Sequence, residues 1–123
     1  MSNTSDSPRG ENILYYTPPK GVDASAPFFE QFALDVNERR TTNVGYLDAD
    51  GNGKSVDQYR TLLQLTFQRR YARTYAEINM KPTRSWKITD IKKYYGVKGN
   101  ALKVADQLDA IYESITEALK NHD

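Results

Sequence analysis

The chain has 123 residues, no cysteine and a single histidine, and its 17 cationic and 16 acidic residues leave a formal charge of +1. That length suits one domain able to bury about two-thirds of its unfolded surface. The missing cysteines exclude disulfides, thiolate zinc sites and cysteine nucleophiles, and the only histidine, the penultimate residue His122, argues against histidine-based catalysis or a multi-histidine metal site.

The apolar fraction of 38% lies below that of an average domain, so part of the chain is expected to be tail rather than core. No apolar run approaches the ~20 residues of a membrane span. Residues 1–10 are rich in Ser, Asn and Asp and lack the apolar stretch of a secretory signal. A soluble, cytoplasmic protein without a membrane partner is expected, and a viral protein made in a host cytoplasm fits the same description.

Residues 1–24 read as an extended or disordered arm and residues 25–123 as one helical domain. Within the arm, Asn12 to Tyr16 is a short extended piece, followed by the stiff Pro18-Pro19 pair. Ile13, Leu14, Tyr15 and Tyr16 have nothing local to cover them, so they either pack back onto the body or dock onto a partner.

The first helix is expected over 27–40. Ser25 or Ala26 stands near its N-cap, Pro27 lies in its first turn, and Phe28, Phe32 and Val36 repeat at helical spacing. Residues 41–54 form a connection, with 44–47 briefly extended and tight turns through the Asp-rich stretch 48–53. The longest helix is expected over 56–79. Ser55 and Gln58 have the spacing of a capping box, and the apolar stripe runs through Val56, Tyr59, Leu63, Phe67, Tyr71, Tyr75 and Ile78, widened by Leu62, Leu65 and Ala72. Pro82 ends it. A short helix over 89–95 stops at Gly96, suited to a left-handed cap, with Val97 as the apolar contact behind it. Asn100 caps the last helix, 101–120, whose stripe is Ala101, Val104, Leu108, Ile111, Ile115 and Leu119. That stripe is nearly heptad, so it serves either the core or a homo-oligomer through the C-terminal helix. The expected architecture is mostly α: a small single-domain helical bundle of three main helices and one short one, with an extended N-terminal arm.

Three segments carry candidate chemistry. Asp48, Asp50, Asn52 and Gly53 match the first half of an EF-hand loop, where alternate oxygens converge on calcium. The second half departs from it, since Tyr59 stands where a bidentate Glu belongs. The loop therefore reads as an Asx-rich turn, with a weak calcium site on Asp48, Asp50 and Asn52 as the alternative.

Between Tyr59 and Lys98 lie ten cationic residues against only Glu77 and Asp90, interleaved with seven aromatic rings. Arg69, Arg70 and Arg73 joined by Lys81, Arg84, Lys87, Lys92 and Lys93 on one side of the fold would neutralise phosphates with little sequence preference, and Trp86 would stack on a base. The competing expectation puts the rings and Trp86 in the core and pairs the arginines with the acidic first and last helices.

The stretch from Ile88 to Leu108 resembles the helix-turn-helix of phage and bacterial repressors: a short helix ends at Gly96, Val97 follows, and a second helix begins. The resemblance implies that Ile91, Tyr95, Ala101, Leu102 and Ala105 face inward. It implies that Lys98, Asn100, Lys103 and Gln107 face phosphates and base edges in a major groove.

No glycine-rich phosphate loop or Gly-x-Ser-x-Gly occurs, and Gly51 to Ser55 lacks the first glycine of a P-loop. The expectation is a non-enzymatic nucleic-acid-binding protein. The alternative is a structural or adaptor subunit of a virion or multi-subunit complex, docked through its Tyr-rich arm.

Overall fold

The computed structural model describes Tyr16 and residues 18–122. In chain order the elements are α1 (Pro27–Glu38), β1 (Thr41–Leu47), β2 (Gly53–Tyr59), α2 (Arg60–Ile78), α3 (Ile88–Tyr95) and α4 (Ala101–His122). The described part is mostly helical, but β1 and β2 form a two-stranded antiparallel sheet, so it is not a plain helical bundle.

Local chemistry explains α1 and α3. Proline opens α1 without a side-chain cap, and Phe28, Phe32 and Val36 bury as one stripe. Arg39 ends it in the left-handed region (φ 54°), where Asp35 O accepts the Arg40 N–H. At the end of α3, Gly96 takes φ 70° and the N–H groups of Gly96 and Val97 both bond Lys92 O, the expected glycine stop. Asn100 Oδ1 accepts the Lys103 N–H at 2.9 Å and so caps α4.

The region 53–59 departs from the expected helix. Ser55 and Gln58 lie in β2, opposite Gly45 and Thr42, and make no capping box. The helix starts at Arg60, and its cap comes from far away in sequence. Asp35 on α1, 3% exposed, accepts the Thr61 backbone N–H and hydroxyl through Oδ2, both at 2.8 Å. A carboxylate at a helix N-terminus also complements the helix dipole. Because α1 supplies this cap, residues 53–59 are left to the antiparallel ladder with β1.

The core lies between α2 and α4, closed at one end by α1 and α3. Val104, Ala105, Leu108, Ile111 and Ile115 of α4 are fully buried, together with Leu65 and Ala72 of α2 and Phe28 of α1. The α4 stripe is thus spent inside the chain, the core use of the two that its spacing allowed. Leu102, expected to face inward, is 52% exposed; the buried face of α4 is set instead by Val104 and Ala105.

The expected α2 stripe is also corrected. Leu62, Leu65 and Ala72 bury, whereas Phe67 is 43% and Ile78 60% exposed. This helix is apolar on two faces. The Leu62 face wins because Arg69 and Arg73 flank it and meet carboxylates on α4. The exposed Phe67 stacks on Tyr71, which packs against the edge of the core, with centroids 6.5 Å apart.

Candidate functional site

The expected basic residues separate into two groups. On the α2–α4 seam, Arg69 Nε donates to Asp109 Oδ1 at 2.8 Å, and its guanidinium lies 4.1 Å from the centre of the Tyr112 ring. Arg73 Nη2 donates to Asp109 Oδ2 at 2.6 Å and to Asp106 Oδ1 at 2.9 Å. Burial alone would raise the Asp109 carboxyl, but hydrogen bonds and charge from Arg69 and Arg73 outweigh it and hold it below the usual carboxylate range. Asp109 and Asp106 in turn raise the Arg73 guanidinium. These two arginines are internally neutralised. Arg70, between them in sequence, is exposed beside the same seam.

The second group sits where α3 turns into α4. Lys92, Lys93 and Lys98 line one open groove with Gly21, Val22, Asp23, Gly96 and Val97. None of the three lysines has a salt-bridge partner among the described residues. One carboxylate, Asp23, shares the groove. Its Oδ1 accepts the Ser25 hydroxyl at 2.7 Å and the Ser25 N–H at 2.9 Å, bonds that hold it ionised to lower pH than usual.

The groove wall depends on Gly96. Asp23 N–H bonds Gly96 O at 2.9 Å, and a Cβ on Gly96 would stand 2.6 Å from Asp23 O and 2.8 Å from Ala26 Cβ. Only glycine permits both the left-handed turn and this approach. Gln107 braces the same corner: its Nε2 donates to Lys98 O at 2.6 Å and Lys103 O at 2.9 Å. The Lys103 stem passes over Gly99, next to Lys98.

The remaining expected residues divide further. Arg84 and Lys87 are exposed, but Lys87 precedes the first turn of α3, whereas the groove is built at its other end, from Lys92 and Lys93 in the last turn and Gly96 to Lys98 beyond it. Trp86 is 8% exposed, donates its indole N–H to Gln68 Oε1 at 2.9 Å and meets Tyr75 edge-on at 5.3 Å. It plugs the core and is not available to stack on a base. Asn100 is exposed, yet its side-chain oxygen is taken by the α4 cap. Ile91, Tyr95, Val97 and Ala105 are buried, as the helix-turn-helix resemblance implies.

The Asp-rich loop closes the β1–β2 hairpin. Asp48 Oδ1 accepts the N–H groups of Asp50 and Asn52, both at 2.9 Å, and Oδ2 lies 3.9 Å from Lys54 Nζ. A strand, not a helix, leads into the loop, and no group of three or more acidic, His or Cys side chains among the described residues is placed to hold a metal.

Of the arm residues, Ile13, Leu14 and Tyr15 lie outside the described residues. Tyr16 is half-buried, its hydroxyl 2.6 Å from Ser114 Oγ and its ring stacked on Phe29 at 6.0 Å. It belongs to the body. Sequence reasoning missed Asp23 as a groove residue; the Asp-x-Ser turn at 23–25 was the available signal, but nothing local shows that it packs on Gly96.

No protein-family model matches the chain, and no curated protein or solved structure matches it.

Proposed function

We propose that the chain is a non-enzymatic binding protein for nucleic acid, engaged at the α3–α4 corner by Lys92, Lys93 and Lys98 with Lys103 beside them. The observation that carries this reading is the convergence on one groove of three lysines that have no ion-pair partner among the described residues, while Arg69 and Arg73 are neutralised. Ammonium groups on flexible stems suit phosphate oxygens and carry little sequence information. Three to four phosphate contacts imply a salt slope near −0.9 per contact, so affinity should fall roughly 40- to 150-fold between about 50 and 200 mM salt.

The test is fluorescence anisotropy with labelled duplex DNA and RNA across a salt series. Lys92→Glu/Lys93→Glu/Lys98→Glu should lose more than about tenfold in affinity at low salt and flatten the slope. Arg70→Glu, a charge reversal outside the groove, should change affinity by less than threefold. Equal losses in the two variants, or no binding by the native chain at low salt, overturn the reading.

A second reading, an adaptor subunit of a larger assembly, draws support from a different surface. Tyr46, Leu47 and Val56 on the hairpin and Phe67 on α2 stay 43–73% exposed, more apolar surface than phosphate binding calls for. A viral or cytoplasmic setting belongs to these proposals.

A further inference from the structure

The β1–β2 hairpin projects with little cover. Of the seven residues of β1 only Thr42 and Val44 are even half-buried; the other five, Thr41, Asn43, Gly45, Tyr46 and Leu47, are exposed. An isolated two-stranded ribbon is marginal in water, and three or more strands are the usual remedy.

The backbone pattern shows which groups of β1 are free. Arg60 N–H bonds Arg40 O at one end of the ladder and Asp48 N–H bonds Asn52 O at the other. Antiparallel pairs alternate between bonded and non-bonded, so Thr42, Val44 and Tyr46 bond across to β2. Thr41, Asn43, Gly45 and Leu47 then turn their N–H and C=O groups outward, and no partner for them occurs among the described residues.

The two edges of the ribbon differ. Edge strands are commonly protected by lysine, other charges or proline. β2 carries Lys54 and Asp57; β1, Thr-Thr-Asn-Val-Gly-Tyr-Leu, carries no charge and no proline. We infer that the outer edge of β1 pairs antiparallel with β1 of a second copy of this chain, giving a four-stranded sheet in the order β2-β1-β1-β2.

A two-fold axis at Val44 is compatible with the free groups. It sets Thr41 against Leu47 and Asn43 against Gly45 of the other copy, so that all four outward residues form bonded pairs. On one face Val44 meets Val44 and Thr42 meets Tyr46, extending the Val44–Val56 pair within each ribbon. No charge of β1 opposes another, which is what a strand must satisfy to pair with itself. The second copy is thus favoured over an unlike partner, for which a charged or pocketed edge would give selectivity.

The edge and its few exposed apolar side chains make a small interface, so the association is reversible. It is sought by sedimentation velocity over about 5 to 500 µM, a range suited to contacts under about 1,200 Å². The full chain should shift from monomer to dimer, and the Asn43 and Gly45 amides should gain at least tenfold in hydrogen-exchange protection as concentration rises. Gly45→Pro removes one outward N–H, leaves the bonds to β2 in place, and should raise the dimer dissociation constant at least tenfold.

A second pair of variants tests the register. Thr41→Lys/Leu47→Lys and Thr41→Glu/Leu47→Glu should each be monomeric and should associate when mixed. A chain that stays monomeric throughout, a dimer that survives Gly45→Pro, or lysine and glutamate variants that ignore each other overturns the proposal. So does loss of amide protection in Ile13→Asp/Leu14→Asp, which would make the chain's own arm the occupant. Nucleic-acid binding reads a different surface, so either proposal can fail alone.

Discussion

Arg69 and Arg73 on α2 and Lys92, Lys93 and Lys98 at the α3–α4 corner come from one basic stretch, yet they end in opposite electrostatic states. The arginines project toward α4, where Asp106 and Asp109 stand one turn apart and take both guanidinium groups. The lysines lie at the end of a short helix whose neighbour is a turn, and the one carboxylate there among the described residues is already bonded to Ser25. Spacing matched across a helix pair cancels charge; a corner leaves it in the solvent. A run of like charges in a sequence therefore gives no surface field until the facing element is known.

Trp86 sharpens the contrast most. It belongs to the same stretch, but it is packed beside Tyr75 and bonded to Gln68. Trp86→Ala should destabilise the fold by about 3–5 kcal/mol, measured by urea unfolding. Since Trp86 is the only tryptophan, its fluorescence should stay unchanged when nucleic acid fills the lysine corner; quenching on binding would return it to the surface.

Gly96→Ala attacks the corner without touching a charge. The new Cβ meets the Asp23 carbonyl and Ala26 in a left-handed backbone, at a cost of about 2–4 kcal/mol in strain and overpacking. Weaker nucleic-acid binding in the still-folded fraction would show that groove shape matters as well as lysine charge. Unchanged affinity would mean that charge alone suffices.

What was legible in the sequence was local. Pro27 with Phe28, Phe32 and Val36 marks α1; Gly96-Val97 marks the end of α3; Asn100 marks the start of α4. Each signal acts within a turn or two of itself. The hairpin was not legible, because Val56 and Tyr59 fit a helical stripe as well as a strand, and Ser55 and Gln58 imitate a cap. The deciding group is Asp35, 26 residues before the Thr61 it binds. The α2 face was hidden for a similar reason. Leu63, Phe67, Tyr71 and Ile78 make the more regular stripe, but Asp106 and Asp109 on α4 select the other side by pairing with Arg69 and Arg73. For the site, the three groove lysines were named from the sequence, whereas their separation from the arginines depended on which helix faces which.

The seam itself gives the smallest effect and the most direct test of the contrast. Asp109→Asn leaves the shape of the side chain and removes the charge shared by the two arginines. The cost at neutral pH should be about 1–2 kcal/mol, since the pair is hydrogen-bonded to charge but partly open to solvent. Its pH dependence has a definite sign. The folded carboxyl is held below its usual value, so its stabilisation is complete above the unfolded value, near pH 4. It disappears as pH falls through the lower folded value. Unfolding curves for the native chain and Asp109→Asn should therefore differ at pH 7 and converge only when pH falls below the ordinary carboxylate range. The same substitution releases Arg69 and Arg73 toward solvent. If neutralisation by α4 is what keeps them from binding, Asp109→Asn should bind duplex DNA more tightly at low salt and steepen the salt slope by up to about two contacts. An unchanged slope would mean that the arginines are kept from phosphate by their packing on Tyr112 and the seam, and that charge pairing is the lesser cause of the separation.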